Sequence, residues 1–308
     1  MVANCYMDVN VSTPAQGVSL IKMEAIKEVA SINEPEVMTE GQTISGHGLK
    51  VVFKGMKAEE STLMFDVVDE VTGNPKAEEF EFSMKYYQSY AFMEDDAMMN
   101  SGAYAFHPME GQLHPYPYGD VQEVNITQGN YTQEMIITFG KCLYNEKEMS
   151  MKSQVHISID KELALIKIDV DLESLPMQEV QNGYEVVPNF HVNNFENNKV
   201  FYTDSNGLEM QKRILNYRPT WVWDVTAQPV SQNYYPINSA MSLKDPSSHR
   251  QFTVMNDRSQ GGTSMLPGTI ELMQNREAPS DDNKGVGEPL REKDEFGRGI
   301  RVKATYYV

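Results

Sequence analysis

Six histidines and forty-four acidic residues are the groups with which this 308-residue chain could move protons or hold a metal. Proton exchange across a bound molecule takes two such groups facing one another, and a metal takes three or four at fixed spacing. His47, His107, His114, His156, His191 and His249 form no HxD, HExxH or HxxxH arrangement with a credible third ligand. His156 and Asp160 share one face of a strand pattern and read as a surface pair rather than half of a zinc site. Glu94, Asp95 and Asp96 read as a solvated loop. Asp281 and Asp282, just ahead of Asn283-Lys284-Gly285, read as a turn whose carboxylates cap backbone N–H groups. No nucleophile elbow, phosphate-binding loop or dinucleotide fingerprint is present.

The aromatic residues are a more positive sign. Tyr86, Tyr87, Tyr90, Tyr104, Phe106, Tyr116 and Tyr118 crowd one region, and Trp221, Trp223, Tyr234 and Tyr235 flank another. Sugar C–H faces stack on such rings, but so do core neighbours. By themselves these residues imply a large β-sandwich with a capacity for carbohydrate.

The elements that must position them are strands. Leu49, Val51 and Phe53 alternate with Lys50 and Lys54, and Leu63, Phe65 and Val67 repeat the pattern before a TGNP turn at 72–75. Phe80, Phe82, Met84 and Tyr86 alternate with Glu81, Ser83 and Lys85, a half-buried strand. After a long aperiodic loop, strands resume at Val121–Ile126, Gln133–Phe139, Gln154–Ile159 and Leu163–Leu172. Tyr184–Val192 and Lys199–Thr203 follow, then a DSNG turn whose Gly207 can take positive φ. No 3.6-residue apolar stripe is long enough for a substantial helix. The class is all-β, with many strands in extended sheets. Residues 1–40 read as the end of a preceding small β domain and 41–308 as the large sandwich. Val302, Ala304, Tyr306 and Val308 alternate up to the last residue, so both ends of the chain are expected to be truncated and Val308 to lie on an exposed sheet edge.

Charge narrows the partners. A net charge of −18 repels phosphate backbones, so no nucleic acid is expected; an acidic surface suits a neutral sugar or an acidic compartment. No apolar run approaches the roughly 20 residues of a membrane helix, and the first residues carry no secretory signal. Cys5 and Cys142 make no disulfide framework or metal spacing; they read as two free thiols, with a single bridge between them as the alternative. Glycosylation sequons at Asn10 (NVS), Asn125 (NIT) and Asn130 (NYT) hint at a lumenal protein, with its leader expected upstream of this chain.

Seven blocks carry a resemblance. They are SGAYAFHP at 101–108, FYTDSNGLEMQKR from Phe201, NYRPTW at 216–221, NYYPINS at 233–239, DRSQGGTS at 257–264, GTIELMQNR at 268–276 and DDNKGVGEPL at 281–290. In this order they resemble the C-terminal β region of class II α-mannosidases, glycoside hydrolase family 38, of the lysosomal acid branch. The resemblance is dense over 80–308 and thin before. It implies a β super-sandwich shared with galactose mutarotase-like domains, packed on an N-terminal α/β barrel. That barrel holds the zinc and the aspartate nucleophile of a retaining enzyme acting on terminal α-mannose of N-glycans in the lysosome or vacuole. No cofactor is implied on this chain itself, which would be inactive alone.

By motif match, Tyr104 and Arg276 correspond to positions near the bound sugar. Tyr104 offers a stacking face, and Arg276 offers a bidentate fork to sugar hydroxyls or to a carboxylate of the barrel. The branch usually carries a second arginine after Arg276; here Glu277 follows and is expected to couple to it. Phe106-His107-Pro108 is a milder departure, standing where the branch has Phe-Arg-Pro or Phe-Leu-Pro. In DRSQGG, Gly261 and Gly262 are expected to take positive φ, while Asp257 and Arg258 pin the turn to a neighbouring loop. Two other readings compete: a stand-alone carbohydrate-binding module, and a mutarotase-type epimerase needing an acid–base pair in one cleft.

Overall fold

The computed structural model describes residues 36–71, 77–89, 101–128, 133–140, 142–144, 147–149, 153–159, 163–175, 183–220, 222, 224–279, 281, 287–297 and 299–308. Asn10, Asn130, Cys5, Asp160, Asp282, Glu94–Asp96, the TGNP turn and both tryptophans lie outside the described residues.

The strands run in chain order. The first seven are β1 (Glu36–Val37), β2 (Thr43–Gly46), β3 (Leu49–Lys57), β4 (Thr62–Asp69), β5 (Glu78–Ser89), β6 (Tyr116–Pro117) and β7 (Val121–Gln128). Next come β8 (Gln133–Phe139), β9 (Cys142–Tyr144), β10 (Lys147–Met149), β11 (Ser153–Ile159), β12 (Ile166–Leu172), β13 (Gly183–Val192) and β14 (Val200–Ser205). The last are β15 (Glu209–Ile214), β16 (Tyr235–Ile237), β17 (Ala240–Asp245), β18 (Arg250–Asn256), β19 (Gln260–Thr263), β20 (Thr269–Leu272), β21 (Asn275–Glu277) and β22 (Val302–Tyr307). Two short 3₁₀ turns are the helical content among the described residues. The all-β expectation holds.

Two large antiparallel sheets form a sandwich. One has the order β1-β7-β8-β11-β12-β22-β18-β17-β14-β15; the other runs β16-β19-β20-β13-β5-β4-β3-β2, with β21 and β6 pairing on β13 and β5. Alternation in the sequence decides which side chains meet between them. Val51 and Phe53 on β3, Leu63 and Phe65 on β4, and Phe80, Phe82 and Met84 on β5 are all buried. Cross-strand rings stack in a row, Phe53–Phe65 at 5.9 Å and Phe65–Phe80 at 6.2 Å between centroids. The row then crosses to the other sheet, with Phe80 at 6.3 Å from Phe252 and Phe190 at 5.2 Å from Tyr306.

Two expectations change. The strand expected from Leu163 starts at Ile166, and Leu163 itself is exposed. The last strand is no edge: β22 lies between β12 and β18, pairing Ile168 with Tyr306 and Asn256 with Tyr306. Its apolar alternation reflects that interior position, where one face fills the core with Ala304 and Tyr306. β1 pairs with β7 at the end of the first sheet, and Met38 is buried in the core. Asn125 sits half-buried on β7, opposite Val37 and Ile136.

Candidate functional site

β13 is covered on both faces. Tyr184, Val186 and Phe190 point into the sandwich core, while Val187 joins Tyr87 and Val230 in a second, smaller cluster on the other face. Loops that carry the aromatic residues lie over that outer face. Between them opens a cleft of about 720 Å³ lined by 103–107, by Gln228, Ser231 and Tyr234–Pro236, and by Ser259–Gly261, Met273 and Arg276. Tyr104 and Arg276, far apart in the chain, therefore line one cleft, and Gly261 of the DRSQGG turn joins them.

The floor is aromatic and acidic. Phe106 meets Tyr87 edge-on at 5.6 Å and Tyr234 at 5.7 Å. Below these rings Glu271 is buried and accepts hydrogen bonds from the Tyr234 hydroxyl at 3.0 Å and the Tyr87 hydroxyl at 3.1 Å. Burial pushes the Glu271 carboxyl up, and the two phenols oppose the shift. Burial and the neighbouring Glu271 charge likewise push both phenols well above their ordinary range, so they act as donors.

Glu185 is the second buried carboxylate. Strand pairing sets it directly between Tyr87 on β5 and Arg276 on β21. Its carboxylate accepts the Arg276 Nε–H; burial raises its pKa, and the guanidinium works the other way. Arg276 Nη1 donates to the carbonyls of Gly102, at 2.8 Å, and Ala105, at 3.2 Å.

These contacts correct the expected coupling of Arg276 to Glu277. Consecutive strand residues point to opposite faces. Glu277 therefore turns away, is buried, and faces Arg291 Nε at 3.7 Å. The bidentate fork is also not open to a ligand, since Nε and Nη1 are both engaged within the chain.

Gly261 and Gly262 are likewise corrected. Neither has a positive φ; both lie in β19. Their smallness answers close packing instead. A Cβ on Gly261 would stand 2.7 Å from Met273 Sδ, and one on Gly262 3.1 Å from a Leu272 methyl. Positive φ is found at Gly207, as expected. Asp257 and Arg258 pair with each other at 2.9 and 3.1 Å and do not line the cleft. Burial opposes ionisation of Asp257, but Arg258 and the Thr305 backbone N–H hold its pKa down, so the turn is pinned to β22. Ser259 reaches back to Asn238 at 2.7 Å.

Of the histidines, His107 lines the cleft, while His156 pairs across strands with Glu134 at 2.9 Å and His191 contacts Thr269 and Asn193. Among the described residues no three of His, Cys, Asp and Glu come together to hold a metal. Glu185 and Glu271 escaped the sequence reading. The signal for Glu185 was a lone acid inside the otherwise buried run YEVVPNF.

The glycosyl hydrolases family 38 C-terminal domain matches residues 67–284. The lysosomal α-mannosidase of Dictyostelium discoideum is 34% identical over 206 residues, 64% of this chain and 18% of that protein. An α-mannosidase of Canavalia ensiformis is 36% identical over 213 residues, covering 68% and 20%. A probable α-mannosidase of Arabidopsis thaliana is 32% identical over 270 residues, covering 85% and 24%. The chain thus spans about a fifth of the length of these relatives. A galactose mutarotase-like protein from Lactobacillus casei overlays with a TM-score of 0.34 at 10% identity, over 86% of this chain and 98% of that one, a likeness too slight to argue from. The chain belongs to the glycosyl hydrolases family 38 C-terminal domain family.

Proposed function

We propose that this chain is the C-terminal β portion of an α-mannosidase that removes terminal α-D-mannose from N-glycans. In this reading its cleft forms part of the active-site rim, beside an N-terminal barrel that carries the zinc and the nucleophile. The observation that carries it is the meeting of Tyr104 and Arg276 in one cleft, joined by Gly261 of a third matched block. Tyr104, 77% exposed, is the stacking face for sugar. Arg276 adds positive potential beside it, its Nη2 donating to Met273 Sδ at 3.7 Å. The lysosomal names among the relatives favour a lysosomal or vacuolar lumen, which the acidic composition suits.

A chimera tests this reading. This chain replaces the matching segment of the Dictyostelium enzyme, and hydrolysis of p-nitrophenyl α-mannoside is followed. Tyr104→Ala is expected to lower kcat/KM about tenfold, or roughly 1.4 kcal/mol of transition-state binding. An unchanged kcat/KM in a folded chimera with full zinc content would overturn the rim role.

The open, aromatic-lined cleft also favours a second reading, a carbohydrate-binding module that works without catalysis. It expects the isolated chain to bind mannose or mannobiose at millimolar concentration, weakened by Tyr104→Phe. A flat calorimetric titration at that concentration removes it.

A further inference from the structure

The loop at 101–108 is tied partly within itself. Gly102 N–H donates to Ala105 O at 2.9 Å, Ser101 Oγ donates to the same carbonyl at 3.3 Å, and His107 N–H donates to Ser101 Oγ at 3.2 Å. A bridge between Ser89 and Pro108 fixes its exit. Its centre is held from outside. Arg276 Nη1 binds the Gly102 and Ala105 carbonyls together, and the guanidinium carbon sits 5.2 Å from the centroid of the Phe106 ring. One guanidinium thus braces both ends of the turn that presents Tyr104.

An arginine side chain has four rotatable bonds and does not by itself stay in such a pose. Glu185 supplies the constraint. It projects from β13, a strand paired on both sides, and is the cross-strand neighbour of Arg276. With Nε locked to its carboxylate, the planar guanidinium holds Nη1 at the two loop carbonyls, while Nη2 donates to Met273 Sδ at 3.7 Å.

We propose that Glu185 is a positioning residue for the Tyr104 loop, acting through Arg276. The chain of contacts runs from Glu185 to Arg276, from Arg276 to the Gly102 and Ala105 carbonyls, and so to Tyr104. The mannosidase reading enters only in what Tyr104 would touch; the bracing is a property of this chain alone.

The test is amide hydrogen exchange on the 308-residue chain, with the Arg276 Nε–H resonance as a second signal. In Glu185→Gln, protection of the Gly102 and His107 amides is expected to fall about tenfold or more, while β12 amides keep theirs. The Nε–H resonance should lose the downfield position that a carboxylate partner imposes. Should Glu185→Gln not fold, Arg276→Lys serves: its amine can keep the ion pair but has no second nitrogen for the carbonyls. It is expected to loosen residues 101–107 alone. Loop protection within about twofold of wild type in the variants that fold overturns the proposal. So does a loss shared equally by β12, which would make Glu185 a residue of general stability. Mannose binding by the wild-type chain reports separately on the functional reading, so the two can fail independently.

Discussion

Asp204→Ala is expected to destabilise the chain by about 3 kcal/mol. Four backbone N–H groups converge on this side chain. Asn238, Ser239 and Ala240 donate to Oδ1 at 2.7, 3.0 and 3.3 Å, and Gly207 donates to Oδ2 at 2.8 Å. Asp204 is buried, so alanine would leave those donors without a partner and without easy access to water. The effect reaches the cleft, because 238–240 directly follow β16, and Tyr235 and Pro236 line the cleft. Chemical denaturation of the variant against wild type measures the loss; a change below about 1 kcal/mol would mean the loop finds other acceptors.

The same carboxylate sets an acid limit. Burial favours its protonated form, but the four N–H groups win and pull its pKa to about 2 from 3.8. A depressed native pKa gives stability that is present above about pH 4 and lost as pH falls toward 2.

Glu277 works in the opposite direction and gives the second large effect. It is buried in β21, and neither carboxyl oxygen has a hydrogen-bond partner among the described residues. Burial raises its pKa from 4.5 to about 7, and Arg291 only partly opposes this. Between about pH 4.5 and 7 the native state holds a proton that the unfolded chain has released, so stability falls as pH rises through that window. Glu185 and Glu271 shift the same way. Together with Asp204, these groups place the expected stability maximum near about pH 5. Glu277→Gln mimics the protonated form. It should match wild type below about pH 4.5 and exceed it by about 2 kcal/mol above pH 7, a figure reduced for partial solvent screening. Melting temperatures of both proteins from pH 4 to 8 decide the matter. A wild-type profile that does not fall toward pH 8, or a Gln variant no more stable there, would sink this account.

A stability maximum in mildly acidic solution fits the lumenal location proposed above. It also gives the carboxyl of Glu277, next to Arg276 on β21, a physical consequence. With that carboxyl after Arg276, the strand beside the cleft becomes sensitive to protonation while Arg276 itself keeps its partner on the other face.

Local chemistry made much of this legible from the amino-acid sequence. Alternation with period 2 is a property of neighbouring residues, so the strands of Phe80–Tyr86, Gln133–Phe139 and Tyr184–Val192 and their inward faces could be read directly. The DSNG turn was legible for the same reason, since Gly207 answers to a backbone angle within four residues. The blocks SGAY and ELMQNR singled out Tyr104 and Arg276 by resemblance, and the fold brings both to one cleft. What the sequence could not settle were pairings between distant strands. Whether Arg276 meets Glu277 or Glu185 depends on β21 pairing with β13, a register set ninety-one residues away. Whether β22 is an edge depends on β12 and β18 accepting it between them. Whether Gly261 serves a turn or a close contact depends on Met273 arriving just past the end of β20. Tyr104 and Arg276 could thus be named from local text, but the buried acid that braces them belongs to the packing of three strands, because only register brings Glu185 within reach of Arg276.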